Sequence, residues 1–353
     1  MNGTYAGSYG RVKSSTTEFL SDEFMRALIG RTPDEIIQGL LETSYKEDLD
    51  ALSSMYSGNA LLENSINRHI LKKNKLALFA PPPGAKDFLK IYLSKWDIEN
   101  IKILISSKVL GHELKEDENF IISFRDIPMG IFGGNITQDE FKGLIGITSI
   151  EGIVESLSRY PVGVEMLKKL DEYRRIGDVT VLFTAMDTYY YSSIMDSLKF
   201  INGDEEIIRN YFRETIDSRN FMVLLKSKEV DLDFQMVKEA LSNGGSNAVE
   251  KLEDLYRNST LQEIMQNMTE RFSLGGLSSK DTMTELELRV RDQIYNKYHV
   301  ALSASAISIN SIFDFIIRAE RERNALRSIV IGNSYRLPEK TILGLSGLAN
   351  HGE

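Results

Sequence analysis

The densest group of chemically capable side chains lies near the C-terminal end, in Ser311-Ile-Phe-Asp-Phe-Ile-Ile-Arg-Ala-Glu-Arg-Glu-Arg-Asn-Ala-Leu-Arg-Ser-Ile-Val-Ile-Gly-Asn333. Arg318, Glu320, Arg321, Glu322, Arg323 and Arg327 crowd a few turns with both signs of charge. Such a cluster suits either a paired network inside a core or a charged contact surface. Other catalytic options are thin. The four histidines, His69, His112, His299 and His351, include no two at metal-ligand spacing, and His112 beside Glu113 reads as a surface loop residue. No Glu-x-x-His is present for a di-iron bundle site, no Gly-x-Ser-x-Gly for a serine nucleophile, and no cysteine for a thiolate. The phosphate-cradling Gly-x-x-x-x-Gly-Lys-(Ser/Thr) and the dinucleotide Gly-x-Gly-x-x-Gly are missing too. Carboxylate pairs such as Glu47-Asp48, Glu116 to Glu118 and Asp204 to Glu206 occur among 51 acidic residues, where they read as solvated faces. The three tyrosines 189–191 read as wedges between packed helices rather than as a platform for bases. No catalytic, cofactor-binding or metal-ligating residue is therefore assigned, and no cofactor is expected.

The elements that must carry these residues are helices. Read at 100° per residue, Ile312, Phe315, Ile316, Ala319, Leu326 and Val330 fall on one face, with Arg323 near the middle of that apolar stripe. Gly332 and Asn333 supply residue types that tolerate a left-handed cap. Upstream, Thr32-Pro-Asp-Glu carries every helix-start signal, and Phe19 to Gly30 is helical and closed by glycine. Further helices are expected over about 48–74, 88–107, 184–198, 205–228 and 286–298. Pro81-Pro-Pro-Gly84 is the strongest breaker, 114–134 reads as a looser hinge, and the glycine pairs 133–134, 244–245 and 275–276 read as flexible boundaries. Alternating runs are scarce, and Ile121-Ile-Ser-Phe and Thr180-Val-Leu-Phe are absorbed into linkers or helices. The fold class is all-α.

The pattern recurs. The caps Thr32, Ser149 and Thr260 each open cap-x-x-(Glu or Gly)-Ile, and each precedes an asparagine-centred helix. Thr32 to Asn100 is 68 residues, Ser149 to Asn220 is 71, and Thr260 to Asn324 is 64. Asp187-x-x-Tyr190 is matched by Asp292-x-x-Tyr295. Three helical repeat domains follow, 1–130, 131–243 and 244–353. The recurring asparagines suggest a local structural job, such as bonding a neighbouring backbone.

Composition narrows the partners. A net charge of −9 argues against nucleic acid, whose phosphates demand basic surface. The absence of cysteine fits a reducing cytoplasm. The segment Met1 to Tyr9 lacks a charged and then apolar leader, and no window approaches the ~18 apolar residues of a membrane span, so neither signal peptide nor direct span is expected.

Arg318 to Gly332 followed by Leu337-Pro-Glu-Lys340 resembles the last-domain signature of the C subunit of archaeal and bacterial A/V-type ATP synthases, a family similar to the d subunit of the eukaryotic vacuolar proton pump. Tyr9-Gly-Arg-Val-Lys13, Met186-Asp-Thr-Tyr-Tyr-Tyr191 and Asp217-Ser-Arg-Asn220 match the same family in the same order, over nearly the whole chain. Glu99 stands where the other copies have Arg219 and Arg323, and Asn333 where the family commonly has lysine. The resemblance implies three similar domains in a pseudo-threefold funnel and a non-catalytic rotor subunit of the central stalk. Its implied partners are the central shaft subunits, the membrane rotor ring and the membrane stator subunit. Its implied place is the cytoplasmic face of the cell membrane, peripheral through the complex. Two rival readings are a helical-repeat scaffold that binds a peptide or protein in a groove and an enzyme built on an all-helical cavity.

Overall fold

Helix-start residues in the sequence become helix starts in the chain. Thr32, Thr137 and Thr260 each accept a hydrogen bond from the backbone N–H three residues on, while Glu35, Glu140 and Glu263 reach back to the cap. Ser149 accepts from the Gly152 N–H in the same way, although glycine has no side chain to reciprocate. Each such cap is worth about 1 kcal/mol, because it satisfies donors that the first turn leaves open.

The computed structural model describes residues 5–79, 81–111, 114–117, 120–122, 128–201, 205–275 and 282–348. The described elements are almost all helical. The first group is α1 (Ala6–Ser15), α2 (Asp22–Ala27), α3 (Pro33–Leu41), α4 (Lys46–Leu52), α5 (Gly58–Ala77), α6 (Pro83–Leu93) and α7 (Lys95–Leu110). After a small sheet come α8 (Gln138–Ile145), α9 (Ile150–Ser156), α10 (Pro161–Lys168), α11 (Leu170–Ile176), α12 (Thr180–Ser197), α13 (Glu206–Glu229) and α14 (Phe234–Ala240). The last group is α15 (Val249–Asn258), α16 (Leu261–Arg271), α17 (Met283–Ala304), α18 (Ile309–Ser334) and α19 (Glu339–Ser346). The chain is all-α, as its periodicity requires.

Three local expectations give way. The single helix expected over 48–74 is two, α4 and α5, because Gly58 takes a left-handed φ of +54° after a serine-rich turn. The helix expected over 88–107 is broken at Ser94, whose hydroxyl donates to the Ile91 carbonyl and competes with the backbone ladder. The hinge expected over 114–134 contains strands β1 (Lys115–Asp117), β2 (Phe120–Ile122) and β3 (Pro128–Ile131), in the order β1-β2-β3. The β1 and β2 strands are antiparallel, with Lys115 opposite Ile122 and Asp117 opposite Phe120. Only β2, Phe-Ile-Ile, has residue types that favour a strand; β1 is Lys-Glu-Asp and is a strand because β2 pairs with it.

Contacts divide the chain into two compact units, one of residues 1–86, 126–128 and 295–353, the other of 87–125 and 129–294. In the first, a buried cluster including Met25, Ile36, Leu40, Leu62, Ile66, Leu326 and Ile329 joins α2 to α5 with α18 and α19. Burying each such side chain stabilises by roughly 1.5–3 kcal/mol. In the second, Phe88 and Tyr92 meet Phe212 edge-on, and Met166, Leu182, Met186, Leu224 and Ile264 are fully buried.

The second unit also shows what two of the glycine pairs do. Asp97 on α7 accepts from the N–H groups of Asn135 and Ile136, and Asp217 on α13 accepts from those of Ser246 and Asn247. A β-carbon on Gly134 would lie 2.1 Å from the Asp97 carboxylate, and one on Gly245 would lie 2.4 Å from that of Asp217. These glycines are clamped against buried carboxylates by close approach, the opposite of the flexible boundaries expected. Gly276 of the third pair lies outside the described residues. One turn along from the aspartates, Asn100 donates to the Ile131 carbonyl, and Asn220 both donates to the Ser242 carbonyl and accepts its N–H.

Candidate functional site

The charged cluster of the sequence sits on α18, which lies against α5 in the first unit. Its apolar stripe is buried as expected: Ile312, Phe315, Ile316, Ala319, Leu326 and Val330. The cap is not where the residue types put it. α18 runs through Gly332 and Asn333, and the left-handed residue is Arg336, φ +53°, with the Leu337 N–H bonded back to the Gly332 carbonyl. Gly332 serves packing instead, since a β-carbon there would lie 2.7 Å from Ile342 of α19. Asn333 ties the end of α2, accepting from the Gly30 N–H and donating to the carbonyls of Leu28 and Arg31.

Most of the charges are paired inward. Arg323, 5% exposed, donates to Asn67 at 2.7 Å, and Arg327 meets Glu63 at 2.7 Å. Glu322 accepts from the Tyr45 hydroxyl at 2.8 Å and the Leu20 N–H at 2.6 Å. Burial pushes the Glu322 carboxyl above its ordinary range, against those two hydrogen bonds. Arg321 grips Asp22 in a two-pronged pair at 2.8 and 3.0 Å and donates to the Gly347 carbonyl. Those Arg321 hydrogen bonds hold the Asp22 carboxyl below its ordinary range. Of the two meanings of the cluster, the paired core network is the one the geometry supports. Asn324, half-buried, accepts from Arg323 rather than bonding a neighbouring backbone as Asn100 and Asn220 do.

An arrangement that the sequence did not reveal lines an open cleft of about 970 Å³. Asp48 bonds His69 Nδ1 at 2.8 Å, and His69 Nε2 lies 3.5 Å from Ser44 Oγ. The residue types are those of a hydrolytic triad, drawn from positions 44, 48 and 69, which no linear motif joins. The hydrogen bonding is that of a clamp. Ser44 gives its proton to the Glu18 carbonyl at 3.0 Å, so it is not poised to pass it to His69. Asp48 is shared with Arg68 at 3.2 Å and Lys72 at 2.8 Å. Burial works against its ionisation, but the His69 and Lys72 hydrogen bonds outweigh that and keep the carboxyl low. Tyr45 stacks on the His69 ring at 4.0 Å and closes it in.

The remaining candidates fall into place residue by residue. His299 bonds Asp314, whereas His112 and His351 lie outside the described residues. Among the described residues no group of three acidic or histidine side chains could hold a metal ion. The Tyr190 hydroxyl donates to the Tyr92 carbonyl, and its ring meets Tyr191 edge-on, as wedges do. Asp187 on the same helix ties Lys102 of α7 at 2.6 Å and Arg219 of α13 at 3.4 Å. Beside that strut the second unit opens an apolar trough of about 840 Å³ along α12 and α14, with Ile176 and Met236 more than half exposed. Charged side chains such as Lys169, Glu172 and Glu239 rim the trough.

Against known proteins, the chain matches the family described as ATP synthase (C/AC39) subunit over residues 9–345. It is 39% identical over 350 residues to the C subunit of the A-type ATP synthase of Thermoplasma volcanium, covering 98% of each chain. Its identity to the corresponding protein of Thermoplasma acidophilum is 35% over 345 residues, 96% of this chain and 97% of the other. With that of Methanosarcina mazei it shares 24% over 348 residues, 96% and 91% of the two chains.

Proposed function

The chain belongs to the ATP synthase (C/AC39) subunit family, and on that footing we propose that it is a non-catalytic central-stalk rotor subunit. In this reading it is a socket that couples the central shaft of an A/V-type ATP synthase to the membrane ring that translocates ions. The full-length match to relatives named as C subunits of A-type ATP synthases carries the proposal.

The physics of the chain supports it. A torque-bearing part needs stiffness, and close-packed helices resist compression. Paired struts such as Arg327–Glu63 and Lys102–Asp187–Arg219 tie helix to helix across each core. The apolar trough on α12 and α14 offers contact surface for a protein partner. Among the described residues no helix is long and apolar enough to cross a membrane; in this reading the chain meets the ring from the side. The partners in this proposal are the shaft subunits, the rotor ring and the membrane stator subunit, and its place is the cytoplasmic face of the membrane.

The proposal includes three helical repeat domains, 1–130, 131–243 and 244–353, arranged as a pseudo-threefold funnel. Supporting it are the three N-caps at Thr32, Ser149 and Thr260 and the parallel clamps Asp97–Asn100 and Asp217–Asn220. The third copy differs, with Arg321 reaching the Gly347 carbonyl where the others use an aspartate on N–H groups. The purified chain mixed with its cognate shaft subunits at micromolar concentration should co-elute with them as one complex; separate elution would count against the socket.

A further inference from the structure

Arg318 is the arginine of the α18 charge cluster that the pairing described above does not employ. Its guanidinium lies over the Phe19 ring, 4.4 Å from the centroid, and among the described residues it has no carboxylate or carbonyl partner. It lines a pocket of about 290 Å³ within the first unit, together with Tyr295, Asn296 and His299 of α17. We propose that this pocket binds a small oxyanion, phosphate being the simplest example, through Arg318, Asn296, Tyr295 and His299.

Donor accounting carries the proposal. The acceptors at the pocket wall are committed: Asp22 to Arg321, and Glu322 to the Tyr45 hydroxyl and the Leu20 N–H. Arg321 is itself committed to Asp22 and the Gly347 carbonyl. What is left over is mainly donors, the Arg318 fork first among them. The Asn296 amide and the Tyr295 hydroxyl have no hydrogen-bond partner among the described residues. His299 spends its Nδ1–H on Asp314, at 2.5 Å, so its Nε2 accepts in the neutral ring, as from the hydroxyl of a protonated phosphate, and donates only when the imidazole is protonated. Its ring stacks on Tyr295, 5.2 Å apart and nearly parallel, so the two are held as one wall. An arginine with its fork unspent beside three further polar groups matches the several oxygens of a phosphate or carboxylate. The volume suits a single such group, lying at the lower edge of the ~300–1,000 Å³ of sites for drug-sized ligands.

The net charge of −9 makes the test clean, because the rest of the surface disfavours anions. Calorimetric titration of the full chain with sodium phosphate and with sodium sulfate, at constant ionic strength, should show saturable millimolar binding. Arg318→Gln should weaken it at least tenfold and Asn296→Ala about threefold, while Lys251→Gln in the second unit leaves it unchanged. Arg318→Lys, which keeps the charge without the fork, should fall between, and it serves if the glutamine variant does not fold. Sodium glutamate and an acidic hexapeptide form the second arm. If they saturate the site in an Arg318-dependent way and phosphate does not, the bound oxyanion is a carboxylate and the donor assignment stands. No saturable binding by any of these anions, or equal weakening in Lys251→Gln, overturns the proposal.

Discussion

Arg323 and Arg327, four residues apart on α18, reach Asn67 and Glu63, four residues apart on α5. That matched spacing is the residue-scale logic of the molecule: one helical turn on each partner, held in antiparallel register by side chains. A buried ion pair is costly to break from one side, because the surviving charge has lost its partner. Arg327→Met should therefore lower stability in urea unfolding by about 3 kcal/mol, whereas Arg327→Met with Glu63→Leu should recover most of the loss. Asp97 gives a second prediction, with its sign set by burial. Burial lifts its carboxyl to about 7 against the Asn135 and Ile136 N–H bonds, so the folded chain holds a proton that the unfolded chain has already lost. Stability from this group is present below the unfolded pKa and is lost as pH rises towards 7, by up to ~4 kcal/mol. Melting temperatures should fall between pH 5 and pH 8, and in Asp97→Asn that fall should shrink; an unchanged slope would remove Asp97 as its source. Arg323 was legible in the sequence as a charge on a buried face. The role of Arg321 was not. Its position opposite the apolar stripe reads as a contact surface for assembly, yet α2 arrives from 299 residues away and supplies Asp22.

Helices were the most legible elements, because caps and 3.6-residue periodicity are local. The end of α18 shows the limit. Gly332 is a helix-ending residue by type, but only tertiary packing reveals that Ile342 occupies the space its side chain would need. Two substitutions separate the meanings. Gly332→Ala should cost about 1–3 kcal/mol in chemical denaturation through overpacking, relieved in part by adding Ile342→Val. Arg336→Gly, at the residue that does take the left-handed conformation, should stabilise by about 1 kcal/mol. The opposite ranking would restore the sequence-based placement of the cap. The strands between residues 115 and 131 escaped for a related reason. Each is three or four residues long, and what makes them strands is a partner rather than their own pattern. The Asp48–His69–Ser44 clamp escaped because its members are gathered by tertiary packing from two helices and a turn.

At the scale of the whole molecule, the order and spacing of weak motifs identify the family where no single motif does. The socket proposal asks the chain to transmit torque, not to react. Its parts suit that: reciprocal caps on short helices, carboxylates clamping loops to long helices, and ion pairs spanning helix seams. Stiffness of this kind predicts that weakening a strut reduces coupling before it reduces assembly. Asp187→Ala, which releases both Lys102 and Arg219, should still allow incorporation into the complex. ATP-driven ion transport per ATP hydrolysed should then fall, as judged by parallel phosphate-release and ion-uptake assays. The central claim meets its most direct test in the same assay with the chain left out. Vesicles carrying the cognate complex reconstituted without this protein should hydrolyse ATP and take up no ions, with uptake restored when the purified chain is added. Ion uptake at the full rate in its absence would contradict the claim.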